Sequence, residues 1–353
     1  MFTILIVFFS LIFLIILHEL GHFLVAKKFG VKVEEFGVFL PPRLYGRQFG
    51  ETIYSINLIP FGAFVRVQGE EGESSLEDIR SFSNKPIWQR VLIVVGGVVA
   101  FWVVAAVLLS FIMWLGFPAA VSDEGNGNLI NPKVQIAAIA QGSPADTAGL
   151  RVGDTLLQFG KVKEVQEFTD ENRGEEIVLM VERGKEVFDV ALVPRASPPE
   201  REGAMGVALV RVAEKSYPWY QAPIKGIETT FRLTGAIIAG LASLLGRLIT
   251  GQGLPPGAQL MGPVGIGVLL TQFAQLGITQ YLHFIAVISI YLAIFNILPI
   301  PALDGGKLIF LGIEKIKGRP VNHKIEQRIT AFFLAFLLLM IVLVTVRDIA
   351  RLL

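Results

Sequence analysis

His18, Glu19 and His22 form an H-E-x-x-H motif inside an apolar stretch that runs from Phe2 to Ala26. On a helix the two histidines fall at i and i+4, on one face and one turn apart. That spacing lets both imidazoles reach one metal ion, with Glu19 beside them to act on an attacking water. Ionisable residues at bilayer depth cost roughly 2.5 kcal/mol or more near a helix centre, so they mark function by default. The pattern predicts a zinc hydrolase site at membrane depth. Two histidines leave the site incomplete, because a hydrolytic zinc typically takes three protein ligands and keeps a place for water. The chain has no cysteine, so the third ligand must be a carboxylate or an imidazole.

Asp304 is the best candidate for that ligand. It follows the apolar run Tyr281 to Leu298, at the same end of its segment as His22 on the first one. Pro299 and Pro301 prevent a regular helix there, and Gly305 and Gly306 free the backbone further. The competing reading of Asp304 is a plain Asp-Gly turn. His283, at the start of a span, and His323, in a basic loop, are read as interfacial and solvated.

The elements that must position these groups are mostly apolar helices. The chain has 353 residues, of which 53% are hydrophobic and 17% charged, with a net charge of +1. Its mean hydropathy is +0.60. This excludes an ordinary soluble protein and gives no sign of a nucleic-acid partner. Phe2 to Ala26 reads as a span and not a signal peptide, because the run is long and no basic segment precedes it. Lys27, Lys28 and Lys32 follow it, so that end is expected to face the cytoplasm, with His22 about 8 Å along the axis from Lys27. Residues 34–68 read as a membrane-associated β-hairpin, with strands at Thr52 to Leu58 and Ala63 to Val67 around a Pro60-Phe61-Gly62 bend. Glu70, Glu71, Glu73, Glu77 and Asp78 form a polar loop after it. Val91 to Leu115 is a second span, in which Gly96-Gly97 permits close helix packing.

Residues 131–196 change to soluble character, with strands at Lys133 to Ile139, Thr155 to Phe159, Glu175 to Glu182 and Glu186 to Val193. Ser143 to Ala148 reads as a short helix closed by Gly149. Residues 197–229 read as a linker, and Thr230 to Ile249 as either a span or a helix lying in the interface. Gly251 to Gly267 is a loop or a broken helix, and Ala331 to Val346 the last span. Placing the two large basic loops inside gives about four spans, with 230–249 on the outer surface. The expected architecture is a polytopic α-helical membrane protein. Its parts are 1–122, an inserted domain at 131–196, the linker 197–229, and 230–353.

The chain resembles the site-2 protease family. The resemblance rests on His18-Glu19-Leu20-Gly21-His22, on Asn296 with Pro299, Pro301, Leu303, Asp304, Gly305 and Gly306, and on Gly262-Pro263-Val264-Gly265-Ile266 between them. It is most similar to the bacterial regulator-of-sigma-E type. Gln141-Gly142-Ser143-Pro144-Ala145 through Gly153-Asp154 looks like the start of a circularly permuted PDZ domain. The resemblance implies one zinc ion held by His18, His22 and Asp304, with Glu19 as the base. It implies Asn296, Pro299, Pro301, Gly97 and the hairpin residues Ile56, Asn57 and Leu58 on the substrate side. It further implies a multi-pass protein of the bacterial inner membrane, with an extracytoplasmic PDZ domain and the active site near the cytoplasmic face. The substrates would be single-span membrane proteins pre-cut by a site-1-type protease, such as anti-sigma factors, or remnant signal peptides. Two departures stand out. Only one PDZ domain is recognisable, and Phe101 stands where many relatives carry Asn in a Gly-x-x-x-Asn pattern after Gly97. The alternatives are a membrane metal transporter and a catalytically silent PDZ scaffold. A transporter needs a polar path on both sides of its metal, and Phe2 to Leu17 offers only Thr3 and Ser10.

Overall fold

The computed structural model describes all residues except Met1, 71–77, 125–129, Gln141, Lys185, 200–202, 252–260 and Leu353. Glu71, Glu73 and Glu77 of the polar loop, Gln141, and most of the Gly/Pro-rich loop therefore lie outside the described residues. Two compact units result. The first comprises Met1–Phe111 and Pro223–Leu353, and the second Ile112–Ala222.

In the first unit, helix α1 covers Phe2–Lys28 and carries the H-E-x-x-H motif without a break. The hairpin strands β1 (Val33–Phe49) and β2 (Thr52–Val67) are longer than the sequence suggests, because pairing continues through Pro41-Pro42 and Pro60. The hairpin also doubles back. Residues Glu35 to Val38 pair with Ala63 to Arg66 and, again, with Ile53 to Ile56. Helix α2 (Ile87–Leu115) follows. The chain returns through α5 (Ala222–Ile249), α6 (Pro263–Leu276), α7 (Ile278–Ile297), α8 (Asp304–Lys317) and α9 (His323–Leu352). His283 thus lies within α7, and His323 opens α9 instead of sitting in a loop.

Five helices among the described residues are long and apolar enough to cross a membrane: Leu5–Lys28, Ile87–Leu115, Ala222–Ile249, Ile278–Ile297 and His323–Ala350. By length and composition α5 qualifies with the other four, so the fold gives one more candidate span than the charge pattern does.

Two clusters of buried apolar side chains flank the motif along α1. Leu14, one turn before His18, packs with Val98, Phe101, Leu270, Ile285 and Ala293. Ala26, two turns after it, packs with Val31, Val33, Val67, Ile93 and Val94. The polar residues between them are therefore held by packing on both sides. Helix α6 is anchored separately. Buried Asp348 of α9 accepts the Gly262 and Gly265 N–H groups at 2.9 and 2.7 Å, capping the α6 N-terminus.

The second unit is built on one six-stranded sheet of order β3-β8-β4-β5-β6-β7. The strands are β3 (Phe117–Ala120), β4 (Ile130–Ile139), β5 (Thr155–Leu156), β6 (Ile177–Arg183), β7 (Glu186–Leu192) and β8 (Val207–Lys215). Its helices are α3 (Pro144–Thr147), capped by Ser143, and α4 (Val162–Glu171). Val134, Leu156, Val165, Leu179 and Val181 form its core. Residues 197–229 are not simply a linker, since β8 within them pairs with both β3 and β4. The four prolines there hid a strand whose partners, β3 and β4, both lie at the other end of the domain. The chain enters and leaves this unit side by side. The Tyr217 N–H donates to the Met113 carbonyl at 2.8 Å.

Candidate metal centre

The sequence places His18 and His22 on one face of α1, and the fold brings Asp304 to them from the first turn of α8. His18 Nε2 and His22 Nε2 are 3.2 Å apart. Asp304 Oδ2 lies 3.3 Å from the first and 3.4 Å from the second. The three atoms form a nearly equilateral triangle. A tetrahedral zinc with bonds of about 2.0–2.1 Å requires its ligand atoms about 3.3–3.4 Å apart. The side chains are only 10–14% exposed, and Asp304 Oδ2 is buried with no hydrogen-bond donor. A buried carboxylate oxygen aimed at two imidazole nitrogens, with no proton donor of its own, fits a divalent cation. Among the described residues this is the one cluster of three metal-ligating side chains.

Each ligand is held from behind. His22 Nδ1 lies 2.9 Å from the Ile93 carbonyl of α2, which fixes the proton there and leaves Nε2 with its lone pair. The His18 ring stacks on Phe101, centroids 4.6 Å apart. Gly97 is required by the His22 ring itself: a Cβ there would sit 2.2 Å from Nε2. Gly96 meets Gly21 backbone to backbone, so α2 approaches α1 as closely as two helices can. Asp304 is set by the turn before it. Pro299 and Pro301 end α7, and Gly305 and Gly306 let the start of α8 press on the Leu298 and Pro301 backbone, where any side chain would clash.

Glu19 lines a cavity of about 80 Å³ together with His22, Asp304, Val65, Val67 and Lys307. The other residues named from sequence are placed differently. Asn296 donates its amide to the Leu292 carbonyl of its own helix. Asn57 is 2% exposed and its Nδ2 donates to the Val38 and Phe39 carbonyls, so it ties the two hairpin strands together. Alternation along the strand turns Ile56 and Leu58 outward, 50% and 54% exposed. The hairpin segment beside Glu19 is Val65–Val67, further along β2 than Ile56–Leu58.

The N-terminal half of α1 gives no path for an ion. The cavity of about 850 Å³ beside it has two polar lining residues, Ser10 and Tyr281. Their hydroxyls bond each other at 2.6 Å. This counts against the transporter reading.

Comparison with known proteins identifies the family. The pattern of peptidase family M50 matches residues 6–340. The chain belongs to peptidase family M50, the site-2 proteases. Among its M50 relatives, a Clostridium perfringens chain that carries a zinc metalloprotease name is 31% identical over 343 residues, covering 95% of each chain. The Bacillus subtilis regulator of sigma-W protease RasP is 28% identical over 425 residues, covering 96% of each. A Geobacillus kaustophilus zinc metalloprotease RasP is 27% identical, covering 96% of this chain and 95% of its own. The M50 chain is a zinc metalloprotease of the membrane, acting in regulated intramembrane proteolysis.

Proposed function

We propose that His18, His22 and Asp304 hold one zinc ion and that Glu19 is the general base for hydrolysis of a peptide bond inside a substrate's transmembrane segment. The ligand triangle, with sides of 3.2 to 3.4 Å, carries this reading. Zinc, when bound, polarises the scissile carbonyl and eases deprotonation of the attacking water. Glu19 takes that proton and passes it to the leaving amine. His18 and His22 remain neutral ligands, oriented by the stacking on Phe101 and by the Ile93 carbonyl. A helical peptide hides its carbonyls in its own hydrogen bonds, so the substrate must be extended at the site. The hairpin offers a strand to hold it, with Val65–Val67 nearest to Glu19 and Ile56 and Leu58 exposed further out. The family resemblance puts Asn296, Pro299, Pro301 and Gly97 on the substrate side of the site.

The substrates we infer are single-span membrane proteins, pre-cut on the outer side. The name of the Bacillus subtilis relative, regulator of sigma-W, favours a membrane-bound anti-sigma factor, with remnant signal peptides as the second class. The protein lies in the inner membrane of a bacterium, with four spans and α5 on the outer surface. The second unit is a PDZ domain on the extracytoplasmic side, and the metal site is near the cytoplasmic face.

The test pairs two variants. Glu19→Gln should abolish cleavage and keep zinc. Asp304→Ala should lose activity and zinc together. Loss of metal in Glu19→Gln, or retained metal in Asp304→Ala, overturns the assignment.

A further inference from the structure

Glu70 and Lys307 line two cavities at once. The smaller, about 80 Å³, contains Glu19, His22 and Asp304. The larger, about 410 Å³, is walled by Arg90, Glu314, His323 and Glu326 as well. Lys307 Nζ donates to Glu70 Oε1, so this ion pair stands in the wall the two cavities share.

The volumes decide how water must be handled. At about 30 Å³ per molecule, the smaller cavity holds only two or three waters. Each peptide bond hydrolysed consumes one, so the cavity must be refilled at every turnover. The larger cavity has room for roughly ten or more. Six of its lining residues, Glu70, Arg90, Lys307, Glu314, His323 and Glu326, are ionisable, and two buried atoms among them, Arg90 Nε and His323 Nε2, have no protein hydrogen-bond partner. Such atoms are satisfied by ordered water. The apolar cavity along the N-terminal half of α1 has no comparable group to pass water on.

We propose that the Glu70–Lys307 ion pair is a hydration gate: water passes from the polar vestibule to Glu19 when the pair parts. Lys307 is the moving arm. Its side chain is 46% exposed on a four-carbon stem, whereas Glu70 is 22% exposed. The flexible stem lets the Lys307 ammonium swing out of the pair without moving the backbone. The inference rests on Glu19 being the hydrolytic base, but its test does not read activity.

Among its residues the chain has no cysteine, so Val65→Cys places a single thiol in the wall of the small cavity. The full-length zinc-loaded protein in lipid vesicles is treated with a small charged thiosulfonate, and the modification rate is measured. With the gate intact the reaction is slow. Glu70→Gln and Lys307→Met should each raise the rate several-fold without changing zinc content. The exchanged pair, Glu70→Lys with Lys307→Glu, should bring it back toward the starting value. A Leu14→Cys control, in the apolar core, stays unreactive throughout. Equal Val65→Cys rates with and without the ion pair overturn the gate. A rate that rises equally at Leu14→Cys shows general loosening and overturns it too. A failed Glu19→Gln test with a positive labelling result removes the catalytic reading and leaves the water path standing.

Discussion

The His18 imidazole and the Phe101 ring lie face to face, 14° from parallel. Phe101 is 2% exposed, in the cluster that also holds Leu14 one turn before His18. A wholly apolar residue therefore orients a metal ligand by shape alone, where a polar partner would use a hydrogen bond. His18 Nδ1 has no such partner.

Phe101→Ala should free the ring. Groups behind a ligand are typically worth 10–100-fold in metal affinity, so zinc should bind about that much more weakly in a chelator competition. Phe101→Leu should lose less. Unchanged affinity in the alanine variant would mean that the His18 ring is fixed by other contacts.

Gly97→Ala makes a sharper case. Its Cβ would overlap His22 Nε2 at 2.2 Å, and the ring has nowhere to turn while Nδ1 holds the Ile93 carbonyl. Metal and activity should both be lost. Gly235→Ala in α5, which meets nothing within 4 Å, should leave both intact. Zinc content of the two purified variants decides it.

In the inserted domain, Asp154 accepts both Arg183 Nε and Nη2 at 2.7 Å and the Arg151 N–H at 2.8 Å. Burial pushes its carboxyl up, but the Arg183 and Arg151 bonds outweigh this and hold it below the usual range. A carboxylate with a lowered folded-state value stabilises the fold above its ordinary titration near pH 4, and the contribution fades as pH falls through the lowered value. Asp154→Asn should cost roughly 1–3 kcal/mol at pH 7, toward the low end because Arg183 is 30% exposed. Hydrogen exchange of the β6 amides should show a gap between wild type and variant at pH 7 that narrows toward pH 3. An equal gap at both pH values would sink the charge explanation.

We propose that the inserted domain screens substrates by size, and excising it tests this. Removing 133–195 alone would keep the β3–β8 pair but strip β8 of its β4 neighbour, and the bared strand edge should make that protein aggregate. Removing 117–215 takes the whole sheet, and the ends can be rejoined directly, because a Cβ on Gly116 would lie 3.8 Å from Ser216 Cβ. We expect that variant to keep zinc, to cut a trimmed single-span substrate, and to cut also a substrate with its bulky outer part still attached. A zinc-loaded variant that cuts neither would make the domain a delivery device.

The site was the most legible part of the chain, for a physical reason. His18, Glu19, His22 and Asp304 are polar groups where the solvent is lipid, and each stands out against an apolar background. What supports them did not stand out. Ile93 acts through its carbonyl, which every residue has. Phe101 is one aromatic among many in a span, and against the family pattern it reads as a lost contact. Glu70 and Lys307 are far apart in sequence and look like ordinary loop charges until the fold joins them. The hairpin was half legible, because Pro41-Pro42 breaks the alternation that would reveal β1. β8 was hidden for a related cause, since its strand lies among prolines and finds its β4 partners 68 to 84 residues back in the chain.

The side-by-side entry and exit of the inserted domain bears on how the rest of the chain assembles. Residues 117–215 would otherwise be a long tether between α2 and α5, and closing a loop of that length costs roughly 4 kcal/mol in chain entropy. Once the sheet has formed, Gly116 and Ser216 are already neighbours, and the tether has become a short one. Helix α5 must come close to α2, since Gly226 leaves no room for a Cβ beside Ser110. Folding of the water-soluble part thus lowers the entropic barrier to helix docking in the bilayer, and a destabilised sheet should show itself as slow or incomplete assembly of the membrane helices.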